Sequence, residues 1–550
     1  MISQKELAQL IFPDVDLTIV DLEQRFPQRI LPKGAMVTRF APSPTGFLHT
    51  GSLFASLISW RFAKQSQGVF FVRLEDTDQK REIQGSKEQL LDELGVFGII
   101  PDESFTQGGD YGSYIQSERK WIYDIVIKHL IEQGLAYPCF CTHEELDEIR
   151  KEQERIKANP GYYGEYAKCR NRSPQIVFDA IRSGKPYVIR FKSPGEETRR
   201  VSVIDAIRGE ISFPENVQDI VIMKSDGLPT YHFAHLVDDH FMRPTHITRG
   251  EEWMASLPVH LQLFESIGWT HPVYAHLPVI MKLEDGKRRK LSKRKDPEAS
   301  VSYFLEQGYP IEGFLEYLMT MANTNFEEWR LANQASDIFA FDLSFQKMTL
   351  DGGLFDLEKV KSISKECLGR MSAEEISTKA LGWAKEYHPA FASLIKKDFN
   401  YFKKILNIER GGDKPRKDYE KYADIYPIIN FMFDECFYEE IKTSRPFNER
   451  FSKDEIVRVL RAYLADPGLD LSEEAWFAKL KATGEACGFA PRVKEYKQQP
   501  GRYLGHIGDF AEIIRIAVSA RINTPNFYYV LKILGYDKIV DRINHTISLL

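Results

Sequence analysis

Apolar and polar positions follow two periods along the chain. Residues 36–40, Met-Val-Thr-Arg-Phe, read as a short buried strand. Residues 41–46, Ala-Pro-Ser-Pro-Thr-Gly, cannot be helix, because two prolines and a glycine break it. A helix is predicted from about Gly51, where Phe54, Ile58 and Phe62 recur at every fourth position. Residues 69–74, Val-Phe-Phe-Val-Arg-Leu, read as a second strand running into Glu75. Strand, loop, helix and strand in this order predict an α/β fold with a parallel sheet, whose ligands sit beyond the carboxyl ends of the strands. Arg39, His49 and Glu75 fall at that end.

The pattern changes between about 125 and 220. A Cys-x-Cys, a charged helical run over 144–157 and strand-like segments there read as an insertion into the α/β domain. The α/β pattern returns from Lys224, with an apolar strand predicted over 273–281. After about 296 the chain reads as mostly helical, without tandem repeats, and residues 411–415 read as a surface loop.

Composition adds limits. The 550 residues predict several domains. Six cysteines are too few for a disulfide scaffold and fit a reducing compartment. The first 20 residues lack the basic-then-apolar order of a signal peptide, and no stretch approaches a membrane span, so a cytoplasmic protein is expected. The formal net charge of −6 argues against binding nucleic acid by bulk charge. Its distribution is uneven: residues 385–550 carry 27 Lys and Arg against 24 Asp and Glu, so the acidic excess lies in the first 384. Phosphate binding depends on where the cations sit, and a grip set by shape and a few sites remains open.

Three segments carry candidate chemistry. In the first, from Arg39 to Ser52, Gly51 opens a predicted helix, where backbone amides and the dipole favour phosphate, and His49 adds a donor. Taken alone, a histidine beside a glycine is a capped turn. In the second, residues 287–295, seven of nine positions are basic. This is either a solvated charge run or a loop that folds over a triphosphate, with Lys293 as counter-charge. In the third, His232, His235, Asp238, Asp239 and His240 crowd together. No metal-ligand spacing stands out, which favours a hydrogen-bonded polar wall over a metal site.

Five motifs occur in one order: Arg-Phe-Ala-Pro-Ser-Pro-Thr-Gly-x-Leu-His-x-Gly from Arg39, Arg-Leu-Glu-Asp-Thr-Asp from Arg73, Thr-Tyr-His with Val-Asp-Asp-His from Thr230, Arg-Gly-Glu-Glu-Trp from Arg249, and Lys-Leu-Ser-Lys-Arg from Lys290. Together they resemble bacterial glutamyl-tRNA synthetases, which are class I aminoacyl-tRNA synthetases. His49–Ser52 resembles the His-Ile-Gly-His signature, and residues 290–294 the Lys-Met-Ser-Lys-Ser signature. Thr50, Ser52 and Arg294 are departures that leave Gly51 and Lys293 in place. His235 stands where many members carry asparagine.

The resemblance implies a class I Rossmann-like catalytic domain with an inserted acceptor-binding domain, followed by a mostly α-helical C-terminal region. The expected segments are a 1–35 extension, catalytic halves at 36–124 and 222–295, the insertion at 125–221, a stem-contact region at 296–384 and an anticodon-binding region at 385–550. It implies ligation of L-glutamate, activated by ATP with magnesium, to tRNA(Glu), by a monomer without a membrane partner. His49, Gly51 and Lys293 are the expected catalytic residues. Ser52 and Lys290 join them around ATP. Arg39, Ser43, Glu75, Tyr231, His235 and Arg249 are expected to bind glutamate: guanidinium groups hold a carboxylate and reject the neutral amide. Some members bind zinc in the insertion, and Cys139, Cys141, Tyr163 and Cys169 would make a tetrahedral site. Three unligated buried cysteines would leave the same sequence. A tRNA-modifying paralogue would lack the last 170 or so residues, a non-catalytic paralogue would have lost Gly51, Lys293 or Glu75, and Arg249 disfavours a glutaminyl enzyme.

Overall fold

The computed structural model describes residues 2–44, 46, 48–78, 85–292, 294–412 and 415–550. It divides into two compact units, Met1–Tyr303 with Leu318–Asp356, and Phe304–Tyr317 with Leu357–Leu550. The segment expected over 296–384 thus contributes to both.

In the first unit, strand Val37–Phe40 pairs in parallel with Val69–Val72, and helix Thr50–Gln65 connects them. Phe54, Ile58 and Phe62 are buried on one face of that helix. The return into the second strand needs Gly68, because a Cβ there would lie 1.9 Å from the Met36 carbonyl oxygen. A second parallel pair joins His246–Gly250 to Val273–Leu277. The Thr245 amide donates to the Val37 carbonyl at 2.8 Å, which sets the two pairs edge to edge. The carboxyl ends of three of these strands therefore open together, at Arg39, Glu75 and Arg249.

The expected 1–35 extension forms two short helices, Gln4–Ile11 and Ile19–Arg25, each opened by a capping box. Leu7, Leu22 and Phe26 join the same core as helix Lys120–Glu132. In the insertion, Ala136–Cys139, Val188–Phe191 and Val221–Met223 form an antiparallel sheet. Arg200–Asp205 and Gly209–Pro214 form a separate hairpin. The charged run at 144–157 is helix His143–Arg155. The expected edges at 125 and 221 fall inside Lys120–Glu132 and Val221–Met223.

The second unit is helical around an aromatic and aliphatic core that includes Phe391, Phe402, Phe431, Leu460, Phe510 and Leu531. Ser372 and Ser452 open two of its helices with capping boxes to Glu375 and Glu455. Arg542 is fully buried, and its guanidinium donates to the carbonyls of Phe431, Met432 and Val518 and to Asp434. Those carbonyls belong to different segments, so one side chain ties several helix ends together. Of the loop expected at 411–415, Asp413 and Lys414 lie outside the described residues. No helix among the described residues is long and apolar enough to cross a membrane.

Candidate active site

The converging strand ends and the start of helix Thr50–Gln65 enclose a cavity of about 580 Å³. Nine of the expected residues line it: Arg39, Ser43, His49, Gly51, Ser52, Glu75, Tyr231, Arg249 and Lys290. Lys293 lies outside the described residues.

His49 caps the helix. Its Nδ1 accepts the Gly51 amide at 2.9 Å, so the neutral ring carries its proton on Nε2. Thr50, a departure from the signature, is fully buried and donates its hydroxyl to the Glu298 carbonyl at 2.9 Å. The helix N-terminus and its partial positive charge thus face the cavity.

Beneath the strand ends lies a buried charge network. Arg73, fully enclosed, reaches Glu75 at 2.9 Å and Asp239 at 2.7 Å. Arg39 binds Asp239 at 3.0 Å. Asp238 accepts from Arg119 at 2.6 Å, Gln116 at 2.8 Å and Tyr123 at 2.8 Å. Burial would push the Asp239 carboxyl up, but Arg39 and Arg73 outweigh it and hold it far below the usual carboxylate range. Burial raises Glu75, against the pull of Arg73 and Arg39. Breaking such a network from one side costs about 3–5 kcal/mol, because the remaining charge stays buried. Sequence reading passed over Arg73, although a lone arginine in an apolar strand was a visible signal.

Arg249 is 6% exposed, and its partners are neutral. Its Nε donates to His276 Nε2 at 3.0 Å, and its Nη1 lies 3.4 Å from His260 Nδ1. Its guanidinium carbon stands 4.9 Å from the Tyr274 ring centre. Among the described residues no carboxylate lies within ion-pair distance of it. Tyr231 closes this side against Trp253, with ring centres 4.7 Å apart, and burial pushes its hydroxyl up to about 12.

Two expected contacts need correction. His235 does not line the cavity. It is fully buried behind Arg39, with Nδ1 3.1 Å from Asp239 and Nε2 3.3 Å from the Tyr274 hydroxyl. The helix Tyr231–Phe241 places it one turn below Tyr231, and only Tyr231 reaches the opening. The basic run is not a continuous loop. Lys287–Lys290 is a strand paired with Met281–Glu284, and two of its adjacent cations find carboxylate partners: Arg289 binds Glu284 and Asp296, and Lys290 binds Glu252 at 2.5 Å.

The histidines and aspartates read as a polar wall share no metal geometry. His240 stacks on Trp269 at 3.7 Å and pairs with Glu23. Among the described residues, one set of His, Cys, Asp and Glu side chains could hold a metal: the sulfurs of Cys139, Cys141 and Cys169, all within 4.8 Å of one another. The tyrosine beside them is Tyr162, not Tyr163. The Tyr162 hydroxyl lies 3.4 and 3.3 Å from the Cys139 and Cys141 sulfurs, whereas Tyr163 donates to the Asn159 carbonyl. The backbone at Tyr163 is extended, so consecutive side chains point to opposite sides. Hydrogen bonding within the cluster, from Cys169 above all, lowers the Cys139 thiol to about 4, which favours one thiolate.

Residues 35–351 match the catalytic-domain family of class I tRNA synthetases for E and Q, and the chain belongs to that class. The glutamate–tRNA ligase of Clostridium perfringens strain 13 is 44% identical over 545 residues, covering 98% of this chain and all of that one. That of Clostridium beijerinckii is 43% identical over 552 residues, with both chains fully covered. A crystal structure of a glutamate tRNA ligase from Elizabethkingia meningosepticum, in complex with its amino acid, superposes with a TM-score of 0.74 at 28% identity, over 93% of this chain and 99% of that chain. Within the class, the chain belongs to the glutamate–tRNA ligases.

Proposed function

We propose that the 580 Å³ cavity binds L-glutamate and ATP and forms glutamyl-adenylate, which then charges tRNA(Glu). One observation carries this: a single cavity holds two guanidinium groups, Arg39 and Arg249, beside Glu75, while its other lining carboxylate, Glu252, is already paired with Lys290. Glutamate presents the complement, two carboxylates and one ammonium. Arg39 is already neutralised by Asp239, while Arg249 has only neutral partners. Arg249 therefore suits the side-chain carboxylate, Glu75 the ammonium, and Ser43 and Tyr231 complete the enclosure. A neutral amide would leave the Arg249 charge unmet, which disfavours glutamine.

In activation, a carboxylate oxygen of glutamate attacks the α-phosphorus of ATP. The bond from that phosphorus to the bridging oxygen breaks, and pyrophosphate leaves. The protein supplies no nucleophile; positioning and charge stabilisation carry the step. His49, Gly51 and Ser52 at the helix N-terminus face the phosphates, with Lys290 and Lys293 as counter-charge. In transfer, a hydroxyl of the terminal adenosine of tRNA attacks the glutamyl carbonyl carbon and AMP leaves.

The donor set in the insertion suits zinc. Cys139, Cys141 and Cys169 would hold it, the Tyr162 hydroxyl beside them would be the fourth ligand, and the metal would brace this segment. The test of the main reading is charging of tRNA with glutamate and ATP. Arg249→Ala is expected to lower kcat/KM for glutamate about 10–100-fold with little change in KM for ATP. A wild-type protein that charges no tRNA overturns the reading.

A further inference from the structure

Arg249 is a buried cation held by neutral groups. A guanidinium taken out of water without a counter-ion costs several kcal/mol, so folded chains place a carboxylate beside it. Here the nearest side chains are imidazoles and aromatic rings. The Arg249 Nε donates to His276 Nε2 at 3.0 Å. Arginine has no acceptor, so His276 Nε2 must accept and its proton sits on Nδ1. That Nδ1 lies 2.6 Å from Asp205 Oδ2. Asp205, buried in turn, also accepts the backbone amides of Ile207, Arg208 and His276 at 3.0 to 3.3 Å. The carboxylate is thus one imidazole removed from the cation and is anchored without it.

The fold builds this arrangement from three distant segments. Arg249 and His276 are register partners on the parallel strands His246–Gly250 and Val273–Leu277. Asp205 ends strand Arg200–Asp205, in the hairpin of the insertion. On the other side, Arg249 Nη1 faces His260 Nδ1 at 3.4 Å, and the Trp253 carbonyl lies 3.4 Å from Nη2.

We propose that Asp205 and His276 are positioning residues for amino-acid recognition: Asp205 sets the His276 tautomer, and His276 aims Arg249 while leaving its charge to be met by the substrate side-chain carboxylate. This rests on the reading that the cavity takes glutamate. Specificity for an acidic side chain then depends on keeping protein carboxylates one residue away from Arg249.

The experiment compares His276→Gln, His276→Glu and His276→Phe in the full-length protein, with KM for glutamate and for ATP measured by pyrophosphate exchange in the presence of tRNA. His276→Gln keeps an acceptor for Arg249 and is expected within about fivefold of wild type for both substrates. His276→Phe removes it, and His276→Glu places a carboxylate on Arg249. Each is expected to raise KM for glutamate about 10–100-fold and to leave KM for ATP unchanged. Asp205→Asn, which weakens the anchor, is expected between these limits. Gln and Glu match in size, so their comparison decides the matter even if His276→Phe does not fold. Equal glutamate KM in His276→Gln and His276→Glu overturns the proposal. Arg249→Ala serves as the separate control: a normal glutamate KM there overturns the cavity reading itself, whereas a raised one beside a normal His276→Glu sinks only the positioning role.

Discussion

Arg39 donates two hydrogen bonds to Asp239, at 3.3 and 3.0 Å, across 200 residues of sequence. The pair joins the first strand to helix Tyr231–Phe241, so the cavity wall and the buried network beneath it share a carboxylate. A residue proposed to meet substrate is thereby held at the carboxyl end of its strand before any substrate arrives.

Removing that carboxylate should be felt in both stability and binding. Asp239→Ala leaves Arg39 and Arg73 without their shared partner, and the expected loss is about 3–5 kcal/mol in urea unfolding. Unchanged unfolding would mean the network carries no net stability.

Stability should fall as the solution is acidified from neutral. Burial, with nearby arginines, pushes His235 and His260 well below the ordinary histidine value, so both stay neutral when folded. The unfolded chain takes up protons below about pH 6.5 and the folded chain does not, so acid favours unfolding. Asp239, held low by Arg39 and Arg73 despite its burial, acts with the same sign at lower pH: its contribution is present above about pH 4 and is lost below it. Thermal melts at pH 8, 6.5 and 5 should show a falling midpoint, and His260→Gln should flatten that dependence. A midpoint that rises on acidification would contradict the assignment.

Gly51 is tested through its neighbour. A Cβ on Gly51 would stand 3.3 Å from His49 Nδ1, the atom that accepts the Gly51 amide. Gly51→Ala should disturb this cap, at about 0.5–2 kcal/mol of helix-end stability. The expected kinetic signature is a raised KM for ATP with KM for glutamate unchanged, read by pyrophosphate exchange.

The thiol cluster makes a compositional prediction. Protein purified without chelator should carry about one zinc per chain. Cys169→Ser should lose it and should open the insertion to proteolysis, while Tyr163→Phe, whose hydroxyl meets Asn159 instead, should retain it. Less than about half an equivalent in the wild type would leave three unligated cysteines.

Periodicity and motif order sufficed for the strand ends at Arg39 and Glu75, the helix opening at Gly51 and the helical last third, because each depends on residues near one another in the chain. Turn-breaking prolines, apolar spacing and a glycine at a helix start act locally and are legible in one dimension. Other features depend on register and on which side chain faces inward. Tyr162 rather than Tyr163 meets the thiols because of the direction of one extended residue. His235 backs the cavity instead of lining it because a helical turn separates it from Tyr231. His276 reaches Arg249, and Asp205 reaches His276, only because two parallel strands pair at one register and an inserted hairpin ends against them. What the sequence determined by itself was most of the charged residues that line the cavity, though not the part played by Arg73 beneath it. Which of them meet a carboxylate of the protein, and which one keeps only neutral partners, was decided by tertiary packing, since a counter-ion is assigned by distance in space and not by spacing in the chain.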